Sequence, residues 1–225
     1  MRTPPETLKT WQEEGLTELT EENLSPYFQE VEKVLCVQSA DAKHVGQLGE
    51  IMRTGAESMG FKEMGPLTRN AEGCDGKGLC HFGCLTDAKK STNVSYIPLA
   101  LDAGAFLMTG FKAKKIIREN LYNDREAQGI EAIGKGSQGQ TIKLRIKAKK
   151  TIVSMGTFYT PNFLKRHGVE SRWLGKNLSI HPAGVVTALF PDNNFENTNK
   201  IPQGYGIKDW REKGLMFEGG TPPFL

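Results

Sequence analysis

Three cysteines crowd into one short stretch, Cys74-Asp-Gly-Lys-Gly-Leu-Cys80-His-Phe-Gly-Cys84. Thiolates are soft ligands, and closely spaced cysteines on glycine-rich backbone can wrap a small iron–sulfur cluster. The competing reading is a set of reduced thiols behaving as small apolar groups. Zinc fits less well, because the only nearby fourth ligand, His81, adjoins Cys80, and structural zinc sites use four separated ligands. Cys36, the fourth cysteine, falls in a helical pattern and reads as a core residue.

A second chemistry-bearing stretch is Thr151-Ile-Val-Ser-Met-Gly156-Thr-Phe-Tyr-Thr160-Pro161. It predicts a short buried strand, a glycine turn, and a helix capped by Thr160 with Pro161 in its first turn. A glycine there lets backbone approach a cofactor, and a helix start directs free amides and a partial positive charge at an anion. The alternative is that Gly156 only permits close helix–strand packing. Four histidines could do acid–base work: His44 on a helix, His81 among the cysteines, His167 before a helix stop, and His181 in Asn177-Leu-Ser-Ile-His181-Pro182. His181 equally fits a structural histidine at a strand entrance. Gly134, Gly136 and Gly139 match a dinucleotide fingerprint only by letters, since they lie between two strand patterns and open no helix.

The elements that must hold these residues are mixed. Residues 1–64 read as helical: Ser25 and Pro26 fit a cap and first turn ahead of Phe28, Val31, Val34 and Leu35, and a second helix is predicted from Asp41 to Met59 with Gly60 as its stop. From Gly65 to Gly83 regular patterning disappears, marking residues 65–90 as a long cysteine-rich loop. Ser91 to Leu101 reads as a helix interrupted at Pro98. Short strands are expected at Ala105–Thr109, Lys112–Arg118, Gly129–Ile133 and Thr141–Ala148, the last with strict alternation of Ile142, Leu144 and Ile146 against Lys143, Arg145 and Lys147. The glycine-rich turn 134–139 predicts an antiparallel hairpin in a meander. A further apolar run, Val185–Phe190, precedes a polar stretch from Pro191 to Lys200.

Twenty-nine Lys and Arg against 26 acids, interspersed along the chain, argue against a dedicated nucleic-acid or membrane-binding surface. No apolar stretch approaches the ~20 residues of a membrane span, and the start is polar. Few, clustered cysteines point to a reducing, cytoplasmic setting.

Taken together, the cysteine stretch with its continuation to Tyr96-Ile-Pro98 and Ala103-Gly104-Ala105, and Thr151 to Val169 with Leu174-Gly175-Lys-Asn177-Leu178 and His181-Pro182, resemble the glucose–methanol–choline (GMC) family of FAD-dependent oxidoreductases. The likeness is to the bacterial alcohol and sugar dehydrogenases with a cysteine loop. Lys165, His167 and Glu170 depart from the family's second signature. The resemblance implies an α/β fold with α+β character, part of a flavin domain: 91–182 would be FAD-binding and 183–225 the start of a substrate domain.

The resemblance also implies FAD as cofactor, held near Ala113, Gly156, Thr160 and Pro161, with Asn177 and His181 on the substrate side. Cys74, Cys80 and Cys84 would be the ligands of an iron–sulfur cluster if one is present. The reaction implied is oxidation of an alcohol or sugar hydroxyl, with hydride passing to the flavin N5 and electrons to oxygen, a quinone or a cytochrome. The family's catalytic histidine would lie beyond Leu225, so no residue of this sequence is assigned that role, and the family's dinucleotide fingerprint has no counterpart here either. The sequence is therefore expected to be an internal piece, inactive alone. Two other classes stay open: a non-catalytic binding module, or an iron–sulfur electron-transfer piece of a dehydrogenase complex.

Overall fold

The computed structural model describes residues 2–118, 126–191 and 201–220, so the polar stretch beyond Pro191 lies outside the described residues. It is a mixed α/β structure with five α-helices and small antiparallel sheets among those residues, and it divides into two compact units.

The first unit comprises 1–105 and 189–225. Helix α1 is Pro5–Glu13, with proline in its first turn as its fixed φ favours. Helix α2 is Glu21–Val34, and its cap is Thr20, whose hydroxyl accepts from the Asn23 N–H at 3.1 Å. The reading of Ser25 and Pro26 as the cap is corrected here: Pro26 sits inside the helix. Its missing N–H falls opposite the carbonyl of exposed Glu22 in the first turn, where water can serve that carbonyl. Helix α3, Ala42–Ser58, spans the expected stretch but is broken near its start at Gly46, whose φ of 68° is not helical. Asp41 caps it through Lys43 N–H at 3.0 Å, and Gly60 follows it with φ 77°.

The stretch from Gly65 is not wholly irregular. Strand β1 (Gln38–Ser39) pairs with β3 (Thr68–Arg69), and β2 (Met64–Pro66) pairs with β7 (Tyr205–Ile207), which pairs in turn with β8 (Phe217–Glu218). These strands are too short for periodicity to reveal; long-range pairing creates them. Helix α3 packs on β2 and β7. The Asp209 carboxylate ties the sheet's approach down by accepting from the N–H groups of Lys62 and Glu63 at 2.7 and 2.9 Å. Leu8, Ala56, Leu67, Ala88, Ile201 and Tyr205 are buried. Helix α4 is Tyr96–Asp102, shorter than expected, because it starts two residues before Pro98 and so keeps that proline in its first turn.

The second unit, 106–188, is the predicted meander and one helix. Strands β4 (Lys112–Ile117), β5 (Gly129–Lys135) and β6 (Thr141–Lys147) pair antiparallel in that order. The turn between β5 and β6 is closed by Gly136 N–H to Gln140 O at 2.9 Å. A bulge between Ala113 and Lys115 leaves Lys114 out of the β4 ladder. Helix α5, Gly156–Arg166, meets that bulge through His167. The two ring nitrogens of His167 lie 2.7 Å from the Phe163 carbonyl oxygen and 2.9 Å from that of Lys114.

Two expected strands do not form. The segments Ala105–Thr109 and Thr151–Gly156 contain no strand residues, and Phe106 and Ile152 are 92% and 89% exposed; the apolar run Val185–Phe190 is irregular as well. A strand needs a ladder partner as well as an apolar run, and no described strand lies beside any of these segments.

Candidate functional site

The cysteine loop is a closed excursion. Asn70 and Lys90 seal its neck, with Lys90 N–H donating to the Asn70 carbonyl at 2.8 Å and the Asn70 side-chain amide donating to the Lys90 carbonyl at 3.1 Å. Inside it Gly73, Gly76, Gly78 and Gly83 all take positive φ, conformations that glycine adopts at little cost. The three thiols do not converge. Cys74 Sγ accepts from Gly76 N–H at 3.4 Å, Cys80 Sγ lies 3.9 Å from Arg69 Nη2, and Cys84 Sγ accepts from Lys89 N–H at 3.4 Å and lies 3.7 Å from Thr86 Oγ1. Among the described residues no three His, Cys, Asp or Glu side chains assemble to hold a metal. The described structure gives the iron–sulfur expectation no support: each sulfur is turned to its own local donor, and the three do not form a shared ligand set.

The same contacts differentiate the thiols. Lys89 N–H holds the Cys84 thiol below its ordinary pKa, with the Thr86 hydroxyl and further backbone N–H groups acting in the same direction. Cys36 moves the other way, raised by its hydrogen bond to Glu72 and by burial. Because the thiolate is the nucleophile, Cys84 is expected to alkylate first as pH rises from acid, and Cys36 last. Peptide mapping after brief iodoacetamide pulses between pH 6 and 9 checks this; the order is wrong if Cys36 labels ahead of Cys84.

Arg69 also borders a cleft of about 340 Å³ in the first unit, with Gln38, Asp41, Lys43, His44 and Cys74. Lys43 is engaged by Asp41 at 3.0 Å, and Arg69 donates to the Gln203 carbonyl at 3.0 Å. His44 thus lines a cleft, whereas His81 and His181 are exposed.

In the second unit, Ala113 lies on β4 opposite Ala132. Helix α5 begins at Gly156 and not at Thr160, and Pro161 is inside it. The cause is local: the Thr160 hydroxyl accepts from Met155 N–H at 2.9 Å, so it caps backwards from within the helix. Gly156 has φ 80°, and a Cβ there would meet nothing within 4 Å, so the space against it is open. Asn177, with φ 59°, takes the left-handed conformation that asparagine tolerates. Asn177 and His181 both lie in an exposed, irregular segment. His167 is occupied by two carbonyls and serves as a pin between α5 and β4. Leu225, beyond which the resemblance places the catalytic histidine, lies outside the described residues.

Two polar atoms that the sequence did not single out stand apart. Arg118 Nε and Thr151 Oγ1 are buried and have no hydrogen-bond partner among the described residues. Buried donors without partners are costly and rare. Ile117 pairs with Gly129, which pairs with Lys147, so Arg118 and Thr151 both follow strands that end at the same edge of the meander. The only signal available in the sequence was their position at the borders of strand patterns.

Comparison with known proteins agrees with the resemblance. The family described as GMC oxidoreductase matches residues 1–183. An uncharacterized GMC-type oxidoreductase of Mycobacterium tuberculosis is 29% identical over 219 residues, covering 96% of this chain and 33% of that protein. An uncharacterized GMC-type oxidoreductase of Sinorhizobium fredii is 31% identical over 183 residues (81% of this chain, 35% of that protein). A long-chain-alcohol oxidase of Arabidopsis thaliana is 30% identical over 175 residues (76% and 22%). The chain thus spans about a third or less of the length of these curated relatives. No solved structure matches. No helix among the described residues is long and apolar enough to cross a membrane. With a mixed α/β fold and a family match over most of its length, the chain belongs to the GMC oxidoreductases.

Proposed function

We propose that this chain forms part of the flavin-binding region of an FAD-dependent oxidoreductase that acts on the CH–OH group of an alcohol. The family match over residues 1–183 carries the reading. The activity in the name of the Arabidopsis relative favours a long-chain alcohol over a sugar as donor. FAD, when bound, would supply the hydride acceptor for the carbon bearing the hydroxyl.

The residues present fit such a group. Open space at Gly156 leaves room for a flat ring or a phosphate against backbone, and the first-turn amides of α5 favour a negative charge there. Arg118 Nε and the Thr151 hydroxyl, buried and without hydrogen-bond partners among the described residues, are donors that cofactor oxygens reaching them would satisfy. Thr160 and Pro161 fix the helix that carries Gly156, Ala113 offers backbone on β4, and Asn177 and His181 mark the substrate side. His167 is not the proton acceptor, since both ring nitrogens face carbonyls. The terminal electron acceptor, oxygen, a quinone or a cytochrome, is left to the rest of the reaction cycle.

The test is a titration of FAD with the purified chain, read by flavin fluorescence. Saturable quenching is expected, with strong weakening in Gly156→Val and Thr151→Val variants that keep the wild-type circular dichroism. A cooperatively folded, monodisperse chain that leaves flavin fluorescence unchanged would sink the flavin reading and favour a non-catalytic binding module.

A further inference from the structure

Lysine and arginine are interspersed with acids along the sequence, yet the register of the meander sorts them in space. Lys112, Ile133 and Lys143 stand in one cross-strand row, and Lys115, Glu131 and Arg145 in the next. Lys135 pairs with Thr141 beyond the first row, and Ile117, Gly129 and Lys147 form the row at the opposite end. Because strand side chains alternate, all of these lie on one face, while Ile116, Ile130, Ala132, Ile142, Leu144 and Ile146 lie on the other. The face carries six cations and one carboxylate, where the whole chain has a net charge of only +3. All six cations are exposed, while Ile117 and Gly129 in the end row are buried, and Arg145 and Lys147 already have interaction partners, so Lys112, Lys115, Lys135 and Lys143 form the open part of the face. Lys135 Nζ makes one weak bond, to Thr141 Oγ1 at 3.2 Å.

We propose that this sheet face docks on the anionic lipid headgroups of a membrane surface. Outside the buried end row, covering these exposed lysines with apolar protein would carry a large desolvation cost, so their natural neighbour is water or negative charge. Three adjacent strands hold the ammonium groups near one plane, which suits a planar array of charges. Five of the six cations are lysines, point charges with no demand for bidentate geometry. The face has no aromatic residue, so it lacks both the anchors that concentrate energy in protein–protein interfaces and the stacking platforms of single-stranded nucleic-acid binders. Diffuse attraction to a charged surface needs neither.

Cosedimentation of the full chain with lipid vesicles tests this. At low salt the chain should pellet with phosphatidylcholine vesicles containing about 30% phosphatidylserine and not with pure phosphatidylcholine. Raising salt to about 0.3 M, which shortens the screening length to well under 10 Å, should release it. The triple variant Lys112→Glu, Lys135→Glu, Lys143→Glu should bind about 100-fold more weakly. A control with the same charge change on the other unit, Lys33→Glu, Lys62→Glu, Lys213→Glu, should bind within a few-fold of wild type, both variants being checked for folding by circular dichroism. Absence of binding to the anionic vesicles, equal binding to neutral ones, or equal losses in the two variants would each overturn the proposal.

Discussion

Replacing Gly129 with alanine is expected to destabilise the second unit by about 3 kcal/mol or more, enough to melt the meander selectively. Gly129 is the first residue of the central strand, paired with Ile117 on one side and Lys147 on the other. Its φ is 146°, a region open in practice to glycine alone. A Cβ built there would collide with the backbone carbonyl of Ile146 and press on the Cα of Lys147, so relief requires the β5–β6 ladder itself to move. A urea melt followed by circular dichroism reads the effect. If Gly129→Ala stays within about 1 kcal/mol of wild type, the described start of β5 is wrong.

The second large effect is expected at Ile117, which is 2% exposed and the largest fully buried side chain among the described residues. Ile117→Ala removes three carbons from a packed site and should cost about 2–5 kcal/mol, by lost transfer energy plus the cavity left behind. The same change at Ile152, 89% exposed, should stay within about 0.5 kcal/mol. Equal losses at the two positions would mean that Ile152 is covered in solution and Thr151–Gly156 packed. The comparison thus also tests whether the expected strand forms.

Elements whose signal is local were readable before the structure. Helix α3 announced itself through Asp41, its apolar stripe and Gly60, and the meander through alternation in Thr141–Lys147 and the glycine turn. What misled was proline. Pro26 and Pro161 each suggested a helix start, and each instead lies in the sixth position of a helix that starts earlier, at Glu21 and Gly156. In both cases a threonine hydroxyl, Thr20 or Thr160, meets a backbone N–H near the true start. The strand reading at Ala105–Thr109 failed because apolar runs say nothing about whether a partner ladder is at hand.

Of the candidate site, the open backbone at Gly156 was legible from its type and place. Arg118 and Thr151 were not, because an unpartnered buried atom is a property of surroundings and leaves no trace in residue spacing. The cysteines were the reverse: their spacing suggested a shared ligand, while the fold gives each sulfur a separate partner.

The bulge in β4 has a meaning for how this chain can change over generations. Lys114 is the one residue in the strand with no counterpart on β5. A codon gained or lost at that point leaves every other pair of the ladder where it stands, so Lys112 and Lys115 keep to one side and Ala113 and Ile116 to the other. A codon lost anywhere else in β4 would exchange the two sides for part of its length. The irregularity is therefore the strand's tolerance for length variation, and the His167 imidazole that meets the Lys114 carbonyl is what such a variant would have to forgo.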